Sequence, residues 1–86
     1  MYKLIVLAPA EEFLYQLYKS DRSHYIRIRI ALRGLRENPY KGKNLCRSLK
    51  GSMSLRVGMY RIIYEVLKQE ITIYILKIGH RRDIYN

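Results

Sequence analysis

Cysteine is almost absent from this chain: Cys46 stands alone, so no intrachain disulfide and no metal site built from several thiolates can form. A single free thiol suits a reducing compartment. Long apolar runs are missing too. The opening run, Leu4 to Ala8, spans five residues, too short for a signal-peptide core or a membrane span. The expectation is a soluble, cytoplasmic protein that does not engage a membrane. Acidic residues are scarce, with 7 Asp+Glu against 17 Lys+Arg, which leaves +10 on 86 residues. Such a surplus repels itself and attracts polyanions, so nucleic acid, an acidic protein, or both in turn are the natural partners. Internal repeats, low-complexity tracts and linkers are also lacking, which predicts one domain over residues 1–86. Apolar residues, at 49%, are too many for a disordered chain.

What is present reads as strand, two helices and three further strands. Tyr2–Leu7 is an apolar strand stopped by Ala8-Pro9. Pro9 suits a first helical turn, and Glu11 and Glu12 complement a helix N-terminus. Phe13, Leu14, Leu17 and Tyr18 then recur at helical spacing, and Ser20-Asp21 marks a break and a cap. The stretch 24–36 has two faces. YIRIRI alternates like a strand, whereas Ile28, Ala31, Leu32 and Leu35 form a helical stripe with Arg22, Arg29, Arg33 and Arg36 on the polar side. Its length and its lack of turn signals favour helix, ended by Asn38-Pro39. Residues 39–52 form a basic connecting loop carrying Lys41, Lys43, Arg47 and Lys50 with no acid among them. Strands follow over Met53–Val57, Tyr60–Leu67 and Ile71–Ile78.

Val57-Gly58-Met59-Tyr60 is a compact turn signal. A two-residue loop with glycine first matches a type II′ hairpin. That register pairs Val57 with Tyr60 and sets Arg56 opposite Arg61. Directly opposed side chains share a face with Cβ atoms about 5 Å apart, so two like charges there are unfavourable alone. An anion between them resolves the conflict, because a guanidinium fork matches phosphate oxygens. The alternative is that both splay into solvent, or that Arg61 pairs with Glu65 on the same strand face.

LKGS at 49–52, LRVGMYRIIYEV at 55–66 and GHRRDIY at 79–85, following two helices, resemble the RelE/ParE toxin superfamily, and within it the RelE-type ribosome-dependent mRNA endonucleases. The resemblance covers essentially the whole chain. It implies an α+β fold of order β–α–α–β–β–β, a four-stranded antiparallel sheet with the helical hairpin packed on one face. It implies a toxin of a toxin–antitoxin pair that cuts mRNA in the ribosomal A site without a cofactor or metal. In that chemistry the 2′-hydroxyl attacks the adjacent phosphate and leaves a 2′,3′-cyclic phosphate. The implied partners are an acidic antitoxin, the ribosome and mRNA. By motif position, Arg56, Arg61, Arg81 and Tyr85 are the implied catalytic residues.

One departure stands out. Many members of the superfamily carry a second basic residue two before the Arg56 position, where this chain has Ser54, with Met53 at the preceding aromatic position. Serine carries no charge at neutral pH, so weakened or altered catalysis is implied. An arginine is a poor general base. His80, with an unperturbed pKa near 6.5, is the candidate for moving a proton while Arg61 and Arg81 stabilise charge; the alternative is an exposed strand-terminal histidine. Tyr85 is suited to orienting the hydroxyl or stacking on an unstacked base.

Arg29, Arg33, Lys41, Lys43, Arg47, Lys50 and Arg82 are candidate contacts to ribosomal RNA, with a solvated face as the alternative. His24 reads as a surface residue, Tyr64 and Tyr74 as packing residues, and Cys46 as a small loop hydrophobe. Two other functional classes stay open: a non-enzymatic ParE-like toxin acting on DNA gyrase, and a general RNA-binding module. Arginines at 56, 61 and 81 with Tyr85 favour the nuclease, while Ser54 pulls toward gyrase binding or a weakened nuclease.

Overall fold

In the computed structural model, which describes residues 1–44 and 52–83, the first apolar run forms strand β1, Lys3–Val6, and leads directly into helix α1, Ala8–Ser20. Pro9 occupies the first turn, where its missing N–H has no intrahelical partner to lose. Ala10, Leu14 and Leu17 are the buried stripe of α1. Asp21 then does two jobs. Its backbone N–H donates to Leu17 O at 2.8 Å and closes α1, and its carboxylate caps α2, Arg22–Glu37. The cap accepts the His24 backbone N–H at 3.2 Å and meets the His24 ring at 2.7 Å. The backbone donor first, and the ring second, hold the Asp21 carboxyl below the usual aspartate range.

The two-faced segment 24–36 is helix throughout, and Ile28, Leu32 and Leu35 are its buried stripe. Arg36 leaves the expected solvated face. Its Nε donates to Tyr2 O at 3.1 Å while its own carbonyl accepts the Tyr2 N–H, so it fastens the entry to β1.

The sheet contains β2, Lys43–Asn44; β3, Ser52–Val57; β4, Tyr60–Leu67; and β5, Thr72–His80, in the order β1-β5-β4-β3-β2. The expected α+β architecture with a helical hairpin on one face is present, with two differences. First, β1 pairs with β5 in parallel, so the sheet is mixed rather than wholly antiparallel. The connection from β1 to β5 runs through both helices and the intervening strands, so no short turn forces an antiparallel pair. Second, a fifth strand, β2, lies inside the stretch expected to be loop. Two residues are too few to show alternation.

The last strand also starts and ends later than expected. A single 3-10 turn, Lys68–Glu70, ends at Ile71, whose φ of 51° breaks the strand path, and β5 runs on to His80. A bulge shifts the β4–β5 register from Tyr64↔Ile75 to Ile63↔Lys77, leaving Leu76 as the extra residue. That insertion resets the alternation. Ile73 and Ile75 before it, and Ile78 after it, therefore all face the helices and join one core with Leu14, Leu32 and Tyr64. No helix of the described residues is long and apolar enough to cross a membrane.

Candidate functional site

Gly58 has φ +60° and Met59 does not share that sign, the backbone of a hairpin whose first loop residue alone is left-handed. Val57 pairs with Tyr60, and Arg56 lies directly opposite Arg61. By alternation Ser54, Arg56, Arg61 and Ile63 share the face turned away from the helices, while Leu55, Val57, Tyr60 and Ile62 turn toward them. Gly79 is the β5 partner of Arg61, so no side chain competes with the guanidinium on that flank. Arg61 Nη1 donates to Ser54 Oγ at 3.2 Å, which draws its head toward β2, and its Nε is buried. Arg56 Nε donates to Gly58 O at 3.3 Å and stays at the exposed rim.

Strand β2 completes the site. Lys43 is the direct partner of Ser54, so its side chain joins the arginine face. Lys41, Gly42, Lys43, Ser54, Arg56 and Arg61 line a cleft of about 280 Å³. That volume lies just below the usual range of ligand pockets, about 300 to 1,000 Å³. Four of these side chains are cationic, and no carboxylate lines the cleft among the described residues. A space so charged is chemically suited to an anion.

Tyr64 holds the loop that brings the lysines there. It is fully buried, and its hydroxyl donates to Pro39 O at 2.9 Å while accepting the Gly42 N–H at 3.1 Å. Burial pushes its phenol above the ordinary tyrosine range, and the Gly42 N–H partly offsets that rise. A Cβ on Gly42 would lie 2.5 Å from Ser54 O and 2.6 Å from Tyr64 Oη, so only glycine lets the loop pass so close to β3 and β4. In the sequence Tyr64 reads as a packing residue, and nothing in its strand, which carries Tyr60 as well, marks it for this second role.

His80 is not brought to this cleft. It pairs with Tyr60, so it lies on the helix-facing side of the sheet, its ring 6.0 Å from the Tyr60 ring. Tyr60 also meets Phe13 at 5.7 Å and His24 at 5.2 Å, edge to face. His24 is therefore part of a small aromatic cluster, not a free surface residue. His80 Nδ1 accepts the Arg82 backbone N–H at 3.2 Å, and its carbonyl accepts that of Asp83 at 2.9 Å, which bends the chain after β5.

Arg81 N–H donates to Met59 O at 2.9 Å, so Arg81 is anchored beside the hairpin tip that carries Arg56 and Arg61. Arg27 was overlooked in the sequence. Its guanidinium lies 3.4 Å from where a Gly58 side chain would begin, which puts another cation at the same tip. Arg29 and Arg33 are exposed on α2, in the helical layer and apart from the cleft. Arg82 is exposed at the turn beyond β5. Tyr85, Arg47, Lys50 and Cys46 lie outside the described residues. Among the described residues no group of three His, Cys, Asp or Glu side chains is placed to hold a metal ion.

Comparison with known proteins bears on the family and the fold. The family model for the ParE toxin of type II toxin–antitoxin systems matches residues 4–85. The chain belongs to this toxin family. Toxin RelG of Mycobacterium tuberculosis is 39% identical over 59 residues, covering 67% of this chain and 68% of RelG. Among solved structures, the toxin–antitoxin complex RelBE2 of Mycobacterium tuberculosis matches with a TM-score of 0.82 and 28% identity, over 93% of this chain and 98% of the matched one. The isolated Escherichia coli RelE toxin shares the fold at a TM-score of 0.78 and 17% identity, over 93% of this chain and 84% of RelE. The toxin thus has the fold shared by RelE, YoeB and ParE proteins.

Proposed function

We propose that this toxin is a ribosome-dependent endoribonuclease that cleaves mRNA in the ribosomal A site and so stops translation. The observation that carries the reading is the acid-free cleft in which Arg56 and Arg61, opposed across a hairpin, stand with Lys41 and Lys43. Opposed guanidinium groups are unfavourable until an anion lies between them, and a phosphodiester supplies oxygens that match both forks. As the 2′-oxygen attacks, negative charge grows on the phosphorane oxygens, and prepositioned cations stabilise that state more than the ground state. Arg61, held by Ser54, is the fixed contact to a non-bridging oxygen. Arg56 and Arg81, at the exposed rim, hold the strand on either side. Tyr85 stacks on or orients the nucleotide next to the scissile bond. Arg29, Arg33, Lys41 and Arg82 are exposed cations open to ribosomal RNA, and Arg47 and Lys50 are further candidates from the sequence alone. His80 belongs to the turn that sets Arg81.

RelBE2 and YoeB–YefM are complexes of toxin with antitoxin. A chain with a charge of +10 invites the same control, by an acidic antitoxin that covers the arginine face.

A second reading rests on the family match itself, whose description is that of ParE. In it the same surface binds DNA gyrase and no RNA is cut. One experiment separates the two. The chain is produced in a translation extract, mRNA 5′ ends are mapped with and without ribosomes, and supercoiling is assayed in parallel. Cuts inside A-site codons that require ribosomes support the nuclease. Intact message with inhibited supercoiling supports the gyrase reading and sinks the nuclease.

A further inference from the structure

A phosphate-binding cleft still needs a group that can take the 2′-hydroxyl proton. Arg56 and Arg61 cannot, because guanidinium groups keep their protons across the working pH range. Ser54 is engaged with Arg61 Nη1 at 3.2 Å and carries no charge of its own. His80 sits on the opposite face, beside Tyr60. The register nevertheless supplies a titratable group to the right face. Lys43 of β2 is the direct cross-strand partner of Ser54, with Cβ atoms about 5 Å apart by the geometry of such pairs, and it lines the cleft with Arg56 and Arg61.

We propose that Lys43 is the proton acceptor of the cleavage reaction, standing in from the neighbouring strand for the basic group that β3 lacks at Ser54. The assignment rests on the endoribonuclease reading above and names the base for that same site. In the step, the neutral Lys43 amine takes the 2′-hydroxyl proton as the 2′-oxygen bonds to phosphorus. The bond from phosphorus to the 5′-oxygen breaks, and that oxygen takes a proton from water. The products are a 2′,3′-cyclic phosphate and a 5′-hydroxyl, and the Lys43 ammonium returns its proton to solvent. Nothing else is consumed.

The placement of Lys43 is built rather than incidental. Gly42 precedes it, pinned by its N–H to the buried Tyr64 hydroxyl and too tightly packed against Ser54 O to carry a side chain. Among the described residues, the charged groups on the face of Lys43 are Lys41 from its own segment, Arg56 from β3 and Arg61 from β4, with Glu65 further along β4 and Lys77 of β5 beyond Ile63.

The test compares Lys43→Arg with the wild-type chain on programmed ribosomes. Arginine keeps the charge and the phosphate contact but cannot accept the proton. Single-turnover cleavage is expected to fall by about 100-fold or more, the usual scale for a lost general base. Ribosome binding is expected to stay unchanged, and the rise of rate with pH that the proposal requires of the wild type is expected to be absent from the variant. Adding Ser54→Lys to the Lys43→Arg chain places an amine at the adjacent position and is expected to restore both rate and pH dependence. Thermal unfolding of each variant separates chemistry from misfolding.

An active wild type whose rate and pH profile survive Lys43→Arg overturns the assignment and leaves the nuclease reading intact. A rate loss with an unchanged pH profile makes Lys43 a phosphate contact and likewise overturns its role as base. A wild type that makes no ribosome-dependent cuts overturns the nuclease reading and takes the assignment with it.

Discussion

Gly79 and His80 are neighbours in the chain and serve opposite faces of the sheet. Gly79 lies against Arg61 on the cleft side, and His80 lies against Tyr60 on the helix side. That one-residue difference decides the chemistry open to each. Under the endoribonuclease reading, replacing His80 with Gln should therefore leave the pH–rate profile of cleavage unshifted, because the ring lies on the sheet face opposite the arginines. A modest loss of rate is consistent, since His80 Nδ1 receives the Arg82 N–H and shapes the turn carrying Arg81. The measurement is single-turnover cleavage across the neutral range, and a lost titrating limb would return His80 to the reaction. The sequence could show that a histidine precedes Arg81 but not which face it takes. Its parity depends on the bulge at Leu76, and a bulge inside an apolar run leaves no mark in composition. Arg56 and Arg61 were legible because a two-residue turn fixes the register of its flanking residues.

At the level of elements, the cleft depends on a loop that has little regular structure of its own. The Tyr64 hydroxyl bridges Pro39 O and the Gly42 N–H, and Lys41 and Lys43 flank that clamp. Tyr64→Phe keeps the ring in the core and strips the bridge, leaving two backbone groups without this partner. The expected cost is about 1–3 kcal/mol of stability, the usual penalty for orphaned buried polar groups. Cleavage should fall further than a global loss of fold explains, because the lysines lose their registration. Gly42→Ala should act in the same direction, since its Cβ would come within 2.5 Å of Ser54 O. Gly34→Ala is the control. Nothing lies within 4 Å of its would-be Cβ, and alanine in a helix should raise stability by about 0.5–1 kcal/mol without touching activity. Chemical denaturation and cleavage rates on the three variants check the set. If Tyr64→Phe loses activity only in step with folded fraction, the clamp has no role beyond packing. The helices and the three long strands were readable because periods of 3.6 and 2 recur along them. Strand β2 was not, since its two residues are recruited by pairing with β3 alone.

Across the whole molecule, one charge surplus acts on folding and on binding with opposite sign. The chain measures 36 × 28 × 21 Å with a radius of gyration of 12.1 Å. At 0.01 M salt the Debye length is about 30 Å, so nearly every cation senses every other; at 0.15 M it is about 8 Å and only neighbours interact. The net charge of +10 therefore works against the compact state at low salt, and added salt should raise the melting temperature of the isolated toxin. Binding to a polyanion must move the other way. Each phosphate contacted on a single strand contributes about −0.7 to the slope of log affinity against log salt. Four cleft cations all engaged with RNA predict a slope of about −3, and exposed Arg29, Arg33 and Arg82 steepen it if ribosomal RNA is touched. Thermal melts and affinity for a short RNA, each measured from about 20 to 300 mM sodium chloride, check both signs at once. A melting temperature that falls with salt would mean that attractive ion pairs dominate the fold. With 7 acidic side chains against 17 basic ones, attraction cannot balance the repulsion among the cations, so the rise with salt is the expected result.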